Sequence, residues 1–410
     1  MTRTASTRRR DFRVLVCGGG VAGLEAMLAL RALAGELVDV ELVAPEHHFF
    51  YRPLAVAEPF GGPRVFRWEL ADLARAAGAD FTPGELSGLD VQAHVAELAN
   101  GQRIRYDALV LACGARPQVA VAGALTFRGP ADVERFRALL DEAKSGEPKR
   151  LVFAVPSGIV WPLPLYELAL LTATEFEREG HEAALVLVTS EARPLALFGT
   201  RASEAVEALL AEHGIDLRAS TYPAEVADGV LRCGPGAEIA ADRVVALPRL
   251  RAPTIGGVPR DRNGFVPTNT HGRVAGARDV YAAGDLTAFP IKQGGLAAQQ
   301  ADAAAEAIAA TLGAVLEPRP FRPVLRALLL TGGRPSFLRV ELGGGHGETS
   351  TASDEPLWWL PGKIVGRYLA PFLADFGLVE APAQRPEDDV LRIELDAAAV
   401  HELMLPTPRR

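Results

Sequence analysis

Cysteine is scarce in this chain of 410 residues, which has only Cys17, Cys113 and Cys233. These cysteines lie far apart in the sequence, and no two of them form a C-x-x-C pair. This spacing argues against a disulfide framework, a zinc site and a redox-active cysteine pair. We therefore predict no metal site and a chemistry that does not depend on thiols.

Long apolar runs and excess positive charge are also missing. No stretch reaches the roughly 20 consecutive apolar residues that a membrane-spanning helix needs. The formal net charge of -8 excludes the basic footprint of a nucleic-acid-binding protein. We expect a cytoplasmic protein with no nucleic-acid partner, and a disordered polar tail over residues 1–10.

What the sequence does contain is a repeated alternation of apolar strands and Ala/Leu-rich helices. Each of two units has a strand, a helix and a second strand, as in a βαβ unit. The units cover residues 12–17, 24–33 and 38–43, and residues 150–155, 165–178 and 184–188. This pattern predicts an α/β fold with two Rossmann-like dinucleotide-binding domains.

The strongest local motif is a glycine loop between the first strand and the first helix. Gly18, Gly20 and Gly23 stand in G-x-G-x-x-G register around Val21 and Ala22. The first glycine permits the tight turn, the second lets the backbone approach a pyrophosphate, and the third lets the helix pack against the strand. Free N–H groups at the helix start favour phosphate. We predict that this loop binds a dinucleotide.

The acidic residue that usually binds the adenine ribose is missing from its standard place. The second strand ends near Ala44, and Glu46 lies two residues further on. Glu46 either binds the ribose instead or is a solvated loop residue, and the sequence leaves both interpretations open.

Three further motifs follow the glycine loop in order along the chain. Residues 109–117 read L-V-L-A-C-G-A-R-P, residues 280–286 read V-Y-A-A-G-D-L, and residues 290–305 read P-I-K-Q-G-G-L-A-A-Q-Q-A-D-A-A-A. With the loop, they resemble the motifs of the FAD-dependent pyridine nucleotide-disulfide oxidoreductase superfamily. Over residues 13–312 the chain is most similar to its type II NADH dehydrogenases and sulfide:quinone oxidoreductases.

The resemblance implies FAD as the cofactor and assigns residues to its phosphate and sugar parts. Gly284 and Asp285 would bind the ribityl chain of FAD. Cys113, which stands where the family usually has threonine, and Gly114 would lie near the adenine end or the pyrophosphate.

The resemblance also places a helix start at the flavin ring. The amides of Gly294, Gly295, Leu296 and Ala297 would face the N1/C2=O edge, where a helix N-terminus stabilises the negative charge of reduced flavin. Lys292, one of very few lysines in the chain, would either add positive charge at the same edge or be a surface lysine.

Other candidates lie in the first and second units. Tyr51, Arg52 and Pro53 would either line the flavin or serve in packing. Glu167 would either face the substrate side of the flavin or be a carboxylate on a helix surface. The candidate catalytic residues are therefore Lys292, Glu167 and Tyr51.

The second strand–helix junction departs from the dinucleotide pattern. Residues 156–164 read P-S-G-I-V-W-P-L-P, with bulky residues where glycines are needed. Trp161 would obstruct a pyrophosphate, and prolines remove N–H donors. We therefore do not expect NAD(P)H to bind in the usual mode, although Gly158 leaves room for an atypical one.

The resemblance also implies a division into domains. A tail is followed by the first part of the FAD domain, an inserted degenerate NAD(P)-type domain, the second part of the FAD domain, and a small α+β C-terminal interface or capping domain. The ranges are residues 1–10, 11–122, 123–250, 251–317 and 318–410.

Aromatic and apolar residues recur at helical spacing in residues 356–376. Ile364, Tyr368 and Phe372 would share one face of an amphipathic helix. Such a helix can lie on the inner face of a membrane, form a homodimer contact or cover the flavin domain. We favour an intramolecular cover or a dimer contact over the membrane, which remains open.

Together these features predict an FAD-dependent oxidoreductase. Electrons would pass from an unidentified small-molecule donor through FAD to an acceptor such as a quinone, without a redox-active cysteine pair. Two alternatives remain open: a type II-like NAD(P)H dehydrogenase with atypical nicotinamide binding, and a non-catalytic FAD-binding sensor or interaction protein.

Overall fold

Two parallel five-stranded sheets form the framework of the protein. The structure, a computed structural model, describes residues 12–146, 149–342, 348–358 and 360–378. The tail expected over residues 1–10 therefore lies outside the described residues.

The first sheet consists of apolar strands, as expected where strands alternate with helices. All of its strand pairs are parallel. In spatial order the strands are Val280–Ala282, Ala108–Leu111, Arg13–Cys17, Asp39–Ala44 and Asp80–Pro83. The edge strand Val280–Ala282 comes later in the chain than the whole second sheet. The second unit is therefore inserted in the first, as predicted.

The second sheet repeats this parallel arrangement. In spatial order its strands are Leu125–Thr126, Arg243–Ala246, Arg150–Val155, Ala184–Thr189 and Asp216–Arg218. The two sheets confirm the predicted α/β fold with two Rossmann-like units.

Helices cover these sheets. The α-helices of the described residues are α1 (Val21–Ala34), α2 (Leu70–Ala76), α3 (Val133–Lys144), α4 (Leu163–Glu179), α5 (Thr200–Glu212), α6 (Gly294–Thr311) and α7 (Leu369–Asp375). Single-turn 3-10 helices span Gly35–Leu37, Arg52–Val56, Glu58–Phe60, Pro130–Asp132, Ala196–Phe198 and Gly284–Leu286. Alanines allow α1 to pack along α6 within one core. None of the described helices combines the length and hydropathy that crossing a membrane requires.

Short antiparallel sheets accompany the parallel ones. The two-stranded ones pair His48–Phe50 with Arg67–Glu69, and Arg116–Gln118 with Arg249–Arg251. The three-stranded ones are formed by Leu86–Asp90, Val95–Leu98 and Arg103–Arg105, and by Tyr222–Ala227, Val230–Gly234 and Ala237–Ala240. The ribbon of Arg116–Gln118 and Arg249–Arg251 connects the chain segments that enter and leave the second unit. The domain boundaries expected after residues 122, 250 and 317 stay predictions.

The C-terminal appendage is α+β, as predicted. Its antiparallel sheet is formed by Arg326–Leu329, Ser336–Leu342 and Glu348–Ser353. Leu338 and Val340 of this sheet share a core with Phe176 of α4. The following segment packs on the first unit instead, through Ile364 and Leu369. The appendage therefore contacts both units.

The prediction of one amphipathic helix over residues 356–376 is wrong. Helix α7 starts only at Leu369, and the described residues that precede it in this range are irregular. The reason lies in the buried carboxylate of Glu25 in α1. This carboxylate accepts N–H bonds from Tyr368 and Leu369 at 2.8 and 2.7 Å, and so fixes where the helix begins.

The apolar side chains of this segment pack mainly on the protein itself. Trp358 lies edge-on against Phe337, with ring centroids 5.1 Å apart. Ile364 is buried as well, whereas Phe376 remains 37% exposed. The segment thus acts as an intramolecular cover, which is one of the two alternatives favoured from the sequence. The membrane and dimer contacts stay predictions.

Candidate active site

A cavity of about 680 Å³ lies at the carboxyl ends of the first sheet's strands, which is where open α/β sheets bind ligands. Gly18, Cys113 and Gly284 line it just after three of these strands. The second unit adds residues 158–161, and the appendage adds residues 326–328. One cavity therefore joins all three parts of the protein.

The glycine loop has the geometry that the sequence predicts. Gly18 has a φ of +130°, and a Cβ there would overlap the carbonyl of Ala112. A Cβ on Gly23 would overlap the carbonyl of Gly18, so Gly23 serves helix packing and does not line the cavity. Gly20 differs, because a Cβ there would meet no protein atom within 4 Å. Its α-carbon therefore borders open space.

The residues around the loop fit a dinucleotide cofactor such as FAD. Gly20 leaves the first turn of α1 without a side-chain cap, and Val21 and Ala22 of that turn line the cavity. Backbone donors at a helix start bind phosphate. Arg52 also lines the wall, and no carboxylate in the described part of the chain pairs with it. The cavity is within the range of about 300–1,000 Å³ that is typical of ligand sites.

Two cysteines that are far apart in the sequence meet at this end. Glu46, Cys113 and Gly114 line the cavity, and the Cys113 thiol donates to the carbonyl of Cys17 at 3.3 Å. Burial raises the pKa of Cys113 to about 12 and that of Cys17 well above its ordinary value. Both remain thiols at neutral pH, whereas thiol–disulfide chemistry needs a thiolate. The described residues contain no group of three or more His, Cys, Asp or Glu that could hold a metal ion.

The A-G-D motif places a carboxylate in the cavity wall. Gly284 and Asp285 both line the cavity. Gly284 has a φ of +80°, and a Cβ there would lie 2.9 Å from the Cβ of Ala22 in α1. The motif is thus held against the glycine-loop helix. Burial raises the pKa of Asp285, and the nearby cations Lys292 and Arg52 oppose this shift.

Lys292 lies in the wall, as predicted, and its ammonium group is held by the protein. The ammonium donates to the carbonyls of Thr287 and Phe289, the latter at 2.7 Å. It also lies 4.1 Å from the ring centroid of Phe265. Burial lowers the pKa of Lys292 to about 8, although Asp285 opposes the shift. The position of this cation is therefore fixed.

The start of α6 differs in part from the prediction. Gly294 lines the cavity, whereas Gly295 and Leu296 do not. The Leu296 amide donates to Oε1 of Gln293 at 2.8 Å, and a Cβ on Gly295 would lie 3.1 Å from that oxygen. The Gln293 side chain therefore caps the helix and takes up the Leu296 amide, one of the predicted donors. Gln293 itself lines the cavity.

The structure does not bring Tyr51 to the cavity. Tyr51 is only 1% exposed in the core of the first unit, and its hydroxyl accepts the N–H of Ile364 at 2.9 Å. The prediction that it lines the flavin is therefore wrong, because this side chain anchors the C-terminal segment. The neighbouring Arg52 and Pro53 do line the cavity.

A buried ion pair lies in the wall formed by α4 and the appendage. Glu167 of α4 lines the cavity, as predicted, and pairs with Lys363. Its Oε1 also accepts the N–H of Leu330 at 2.9 Å. Burial raises the pKa of Glu167, and the Lys363 ammonium opposes the shift. We call the part of the cavity lined by Glu167, Lys363 and Arg326 the ion-pair end.

The sequence does not reveal Lys363 in this role, because this lysine is 196 positions away from Glu167. The scarcity of lysine in the chain was the one signal that could have drawn attention to it.

The start of α4 offers few donors for a phosphate group. Pro162 precedes the helix and Pro164 lies in its first turn, and neither residue has an N–H. Trp161 lies edge-on against Phe198, with ring centroids 5.8 Å apart. Gly158, which has a φ of +74°, lines the cavity nearby. This geometry supports the expectation that NAD(P)H does not bind in the usual mode.

Comparison with known proteins identifies the family. The family model for pyridine nucleotide-disulphide oxidoreductases matches residues 12–308. The chain belongs to this family. It is accordingly a flavin-dependent oxidoreductase with FAD as its cofactor, and the alternative of a non-catalytic FAD-binding protein is set aside.

Individual relatives share about a quarter of their residues with this chain. An NADH dehydrogenase-like protein of Mycobacterium tuberculosis is 27% identical over 295 residues, which cover 67% of this chain and 73% of the relative. The ferredoxin–NAD(+) reductase subunit of a benzene dioxygenase system of Pseudomonas putida is 26% identical over 324 residues, which cover 72% and 74%. The sulfide:quinone oxidoreductase of Aquifex aeolicus has the same fold, with a TM-score of 0.77 at 21% identity over 84% of this chain and 87% of that chain.

Proposed function

We propose that FAD in this cavity passes electrons from a small-molecule donor to a small acceptor such as a quinone, without a redox-active cysteine pair. FAD, when bound, supplies reversible two-electron transfer, and the protein supplies binding and orientation. The observation that carries the proposal is the ion-pair end, where a titratable carboxylate lies buried in the same cavity as the glycine loop.

Different residues of the cavity would bind different parts of the cofactor. We assign the phosphates to the glycine loop around Gly20 and to Arg52, and the ribityl chain to Asp285. Gly294 and Lys292 would face the flavin ring, where fixed positive charge favours the reduced state. All five residues line the cavity.

Glu167 is the group best placed to handle protons. A quinone that becomes a hydroquinone takes up two protons with two electrons. Burial raises the pKa of Glu167 and the Lys363 ammonium opposes the shift, so this buried pair can exchange a proton with the acceptor inside the cavity. Lys363 positions this carboxyl through the ion pair.

NAD(P)H as the donor is the second candidate. Two relatives carry names that mention NADH or NAD(+), which supports it. The prolines at the start of α4 argue against the usual binding mode. We therefore favour an electron donor other than a nicotinamide.

Oxidation by a quinone tests the proposed function without knowledge of the donor. Holoprotein reduced with dithionite under anaerobic conditions is mixed with menadione in a stopped-flow instrument. We expect a reoxidation rate that saturates with menadione. We expect Glu167→Gln to lower the saturating rate by about 100-fold, which lies at the low end for loss of a general acid.

The matched control is Glu177→Gln, which changes an exposed carboxylate on the same helix. It should leave the rate unchanged. A rate that rises in proportion to menadione and is the same in all three proteins would overturn the proposal, because free reduced flavin behaves in that way.

A further inference from the structure

A second cation faces the ion-pair end from the appendage. Arg326 begins the strand Arg326–Leu329 and lines the cavity together with Ala327 and Leu328. Its carbonyl accepts a hydrogen bond from the Gln293 side chain at 3.3 Å. Arg326 is therefore fixed beside the start of α6, where the flavin ring is expected.

Among the described residues, no carboxylate balances the positive charge of Arg326. Its partner in the strand register is Arg339, and like charges that face each other across strands are destabilising. Burial, together with Arg339, lowers the pKa of Arg326 to about 10. Within the described ranges, no carboxylate lies at ion-pair distance from its guanidinium.

Among the other cations that line the cavity, Arg52 and Lys292 are assigned to the cofactor, and three have acidic partners. Arg116 pairs with Glu85, and Arg128 pairs with the buried Asp132. Lys363 pairs with Glu167, so these two charges cancel within the ion-pair end. The largely buried Arg326 therefore leaves net positive charge at this end of the cavity, and the start of α6 adds to it.

Apart from the ion pair, Gln293 and Arg339, the wall near Arg326 includes apolar residues. The strand that it begins is tied to α4 through the bond from Leu330 to Glu167. Ala327, Leu328 and Leu163 line the wall near these elements. An apolar wall with one uncompensated guanidinium suits a ligand that has a hydrocarbon or aromatic body and one acidic group.

We propose that the electron acceptor of this enzyme is an acidic molecule, with a carboxylate or sulfonate that binds to Arg326 while its apolar part lies in the ion-pair end. This inference rests on the proposed function, since it names the substrate class of the same site. When the acceptor is a quinone, it gains two electrons and two protons to become a hydroquinone. The anionic reduced cofactor loses both electrons and one proton, and the Glu167–Lys363 pair supplies the other proton, which water then replaces.

Two quinones that differ in charge test the proposal. Dithionite-reduced holoprotein is mixed anaerobically with naphthoquinone sulfonate or with unsubstituted naphthoquinone. Each quinone is compared between protein variants, so that its own reduction potential cancels. We expect Arg326→Gln to slow oxidation by the sulfonate at least about tenfold, the loss that removal of one charged hydrogen bond causes. Oxidation by the neutral quinone should change less than about twofold.

Two further variants provide controls. Arg334→Gln removes an exposed arginine from the turn that follows the same strand and should change neither rate. Arg326→Lys keeps the charge and should recover part of the sulfonate rate. Equal slowing of both quinones by Arg326→Gln would overturn the inference, because it would place Arg326 against the cofactor. An unchanged sulfonate rate would overturn it as well.

An equilibrium measurement keeps the inference testable if neither quinone is reduced or if the variants fail to fold. Wild-type oxidised holoprotein is titrated with benzoate and with its neutral counterpart benzamide, and the flavin spectrum is followed. We expect benzoate to bind at least about tenfold more tightly. If benzoate binds more tightly but neither quinone is reduced, the proposal that the acceptor is a quinone is wrong. The inference that the site binds an acidic ligand is then retained. Equal or absent binding of the two compounds would reject the acidic ligand.

Discussion

A Gly20→Val protein is expected to fold and to lose FAD. A side chain at position 20 meets no protein atom within 4 Å, so the apoprotein can accommodate it. The same side chain would enter the space where the pyrophosphate approaches the start of α1. We expect FAD to bind at least about 100-fold more weakly, which corresponds to about 2.8 kcal/mol. Flavin content after purification and fluorescence titration of the apoprotein measure this.

The matched control is Gly333→Val. Position 333 also leaves room for a side chain, since a Cβ there would meet only Thr331, at 3.9 Å. It lies on a surface turn away from the cavity and should leave FAD binding unchanged. The melting temperature of Gly20→Val should equal that of wild-type apoprotein. Wild-type affinity for FAD in Gly20→Val would show that the pyrophosphate does not lie at this loop.

Lys363→Met is expected to destabilise the folded protein by about 3–5 kcal/mol, the usual cost of leaving one member of a buried ion pair alone. The variant leaves the Glu167 carboxylate buried without its cation. Because burial raises the folded-state pKa of Glu167, the folded protein then retains a proton that the unfolded chain releases. The free energy of unfolding should therefore fall as pH rises from the unfolded-state pKa of Glu167 to its higher folded-state pKa. Chemical denaturation at mildly acidic and mildly alkaline pH measures the effect.

Two variants distinguish the loss of stability caused by breaking this ion pair from the effect of replacing any lysine. Lys149→Met removes an exposed lysine and should change stability by less than about 0.5 kcal/mol. Adding Glu167→Gln to Lys363→Met removes the unpaired charge and should recover much of the lost stability. A loss that is independent of pH and additive in the double variant would contradict the ion pair at this site.

The parts of the site that the sequence could predict are those fixed by backbone geometry. Gly18 and Gly23 are glycines because any side chain would overlap a carbonyl group, and this requirement is local to one strand–turn–helix. The A-G-D motif is likewise recognisable because Gly284 needs a positive φ. Such constraints concern a few adjacent residues, so they leave a readable pattern.

The parts that could not be predicted depend on distant segments. The pairing of Glu167 with Lys363 is set by how the appendage folds back over the second unit, and no local pattern records that path. The periodicity of residues 356–376 indicates one helix, but the Glu25 carboxylate determines where the helix begins. Tyr51 was misassigned for the same reason, since its partner Ile364 lies far along the chain.

The central claim is that FAD in this protein receives its electrons without a nicotinamide bound at the start of α4. Anaerobic mixing of oxidised holoprotein with increasing NADH or NADPH, followed by visible flavin absorbance, tests it most directly. The account predicts a slow loss of absorbance whose rate rises in proportion to the nicotinamide and does not saturate. A fast loss that saturates at micromolar nicotinamide would contradict the claim and make the chain a type II-like NAD(P)H dehydrogenase.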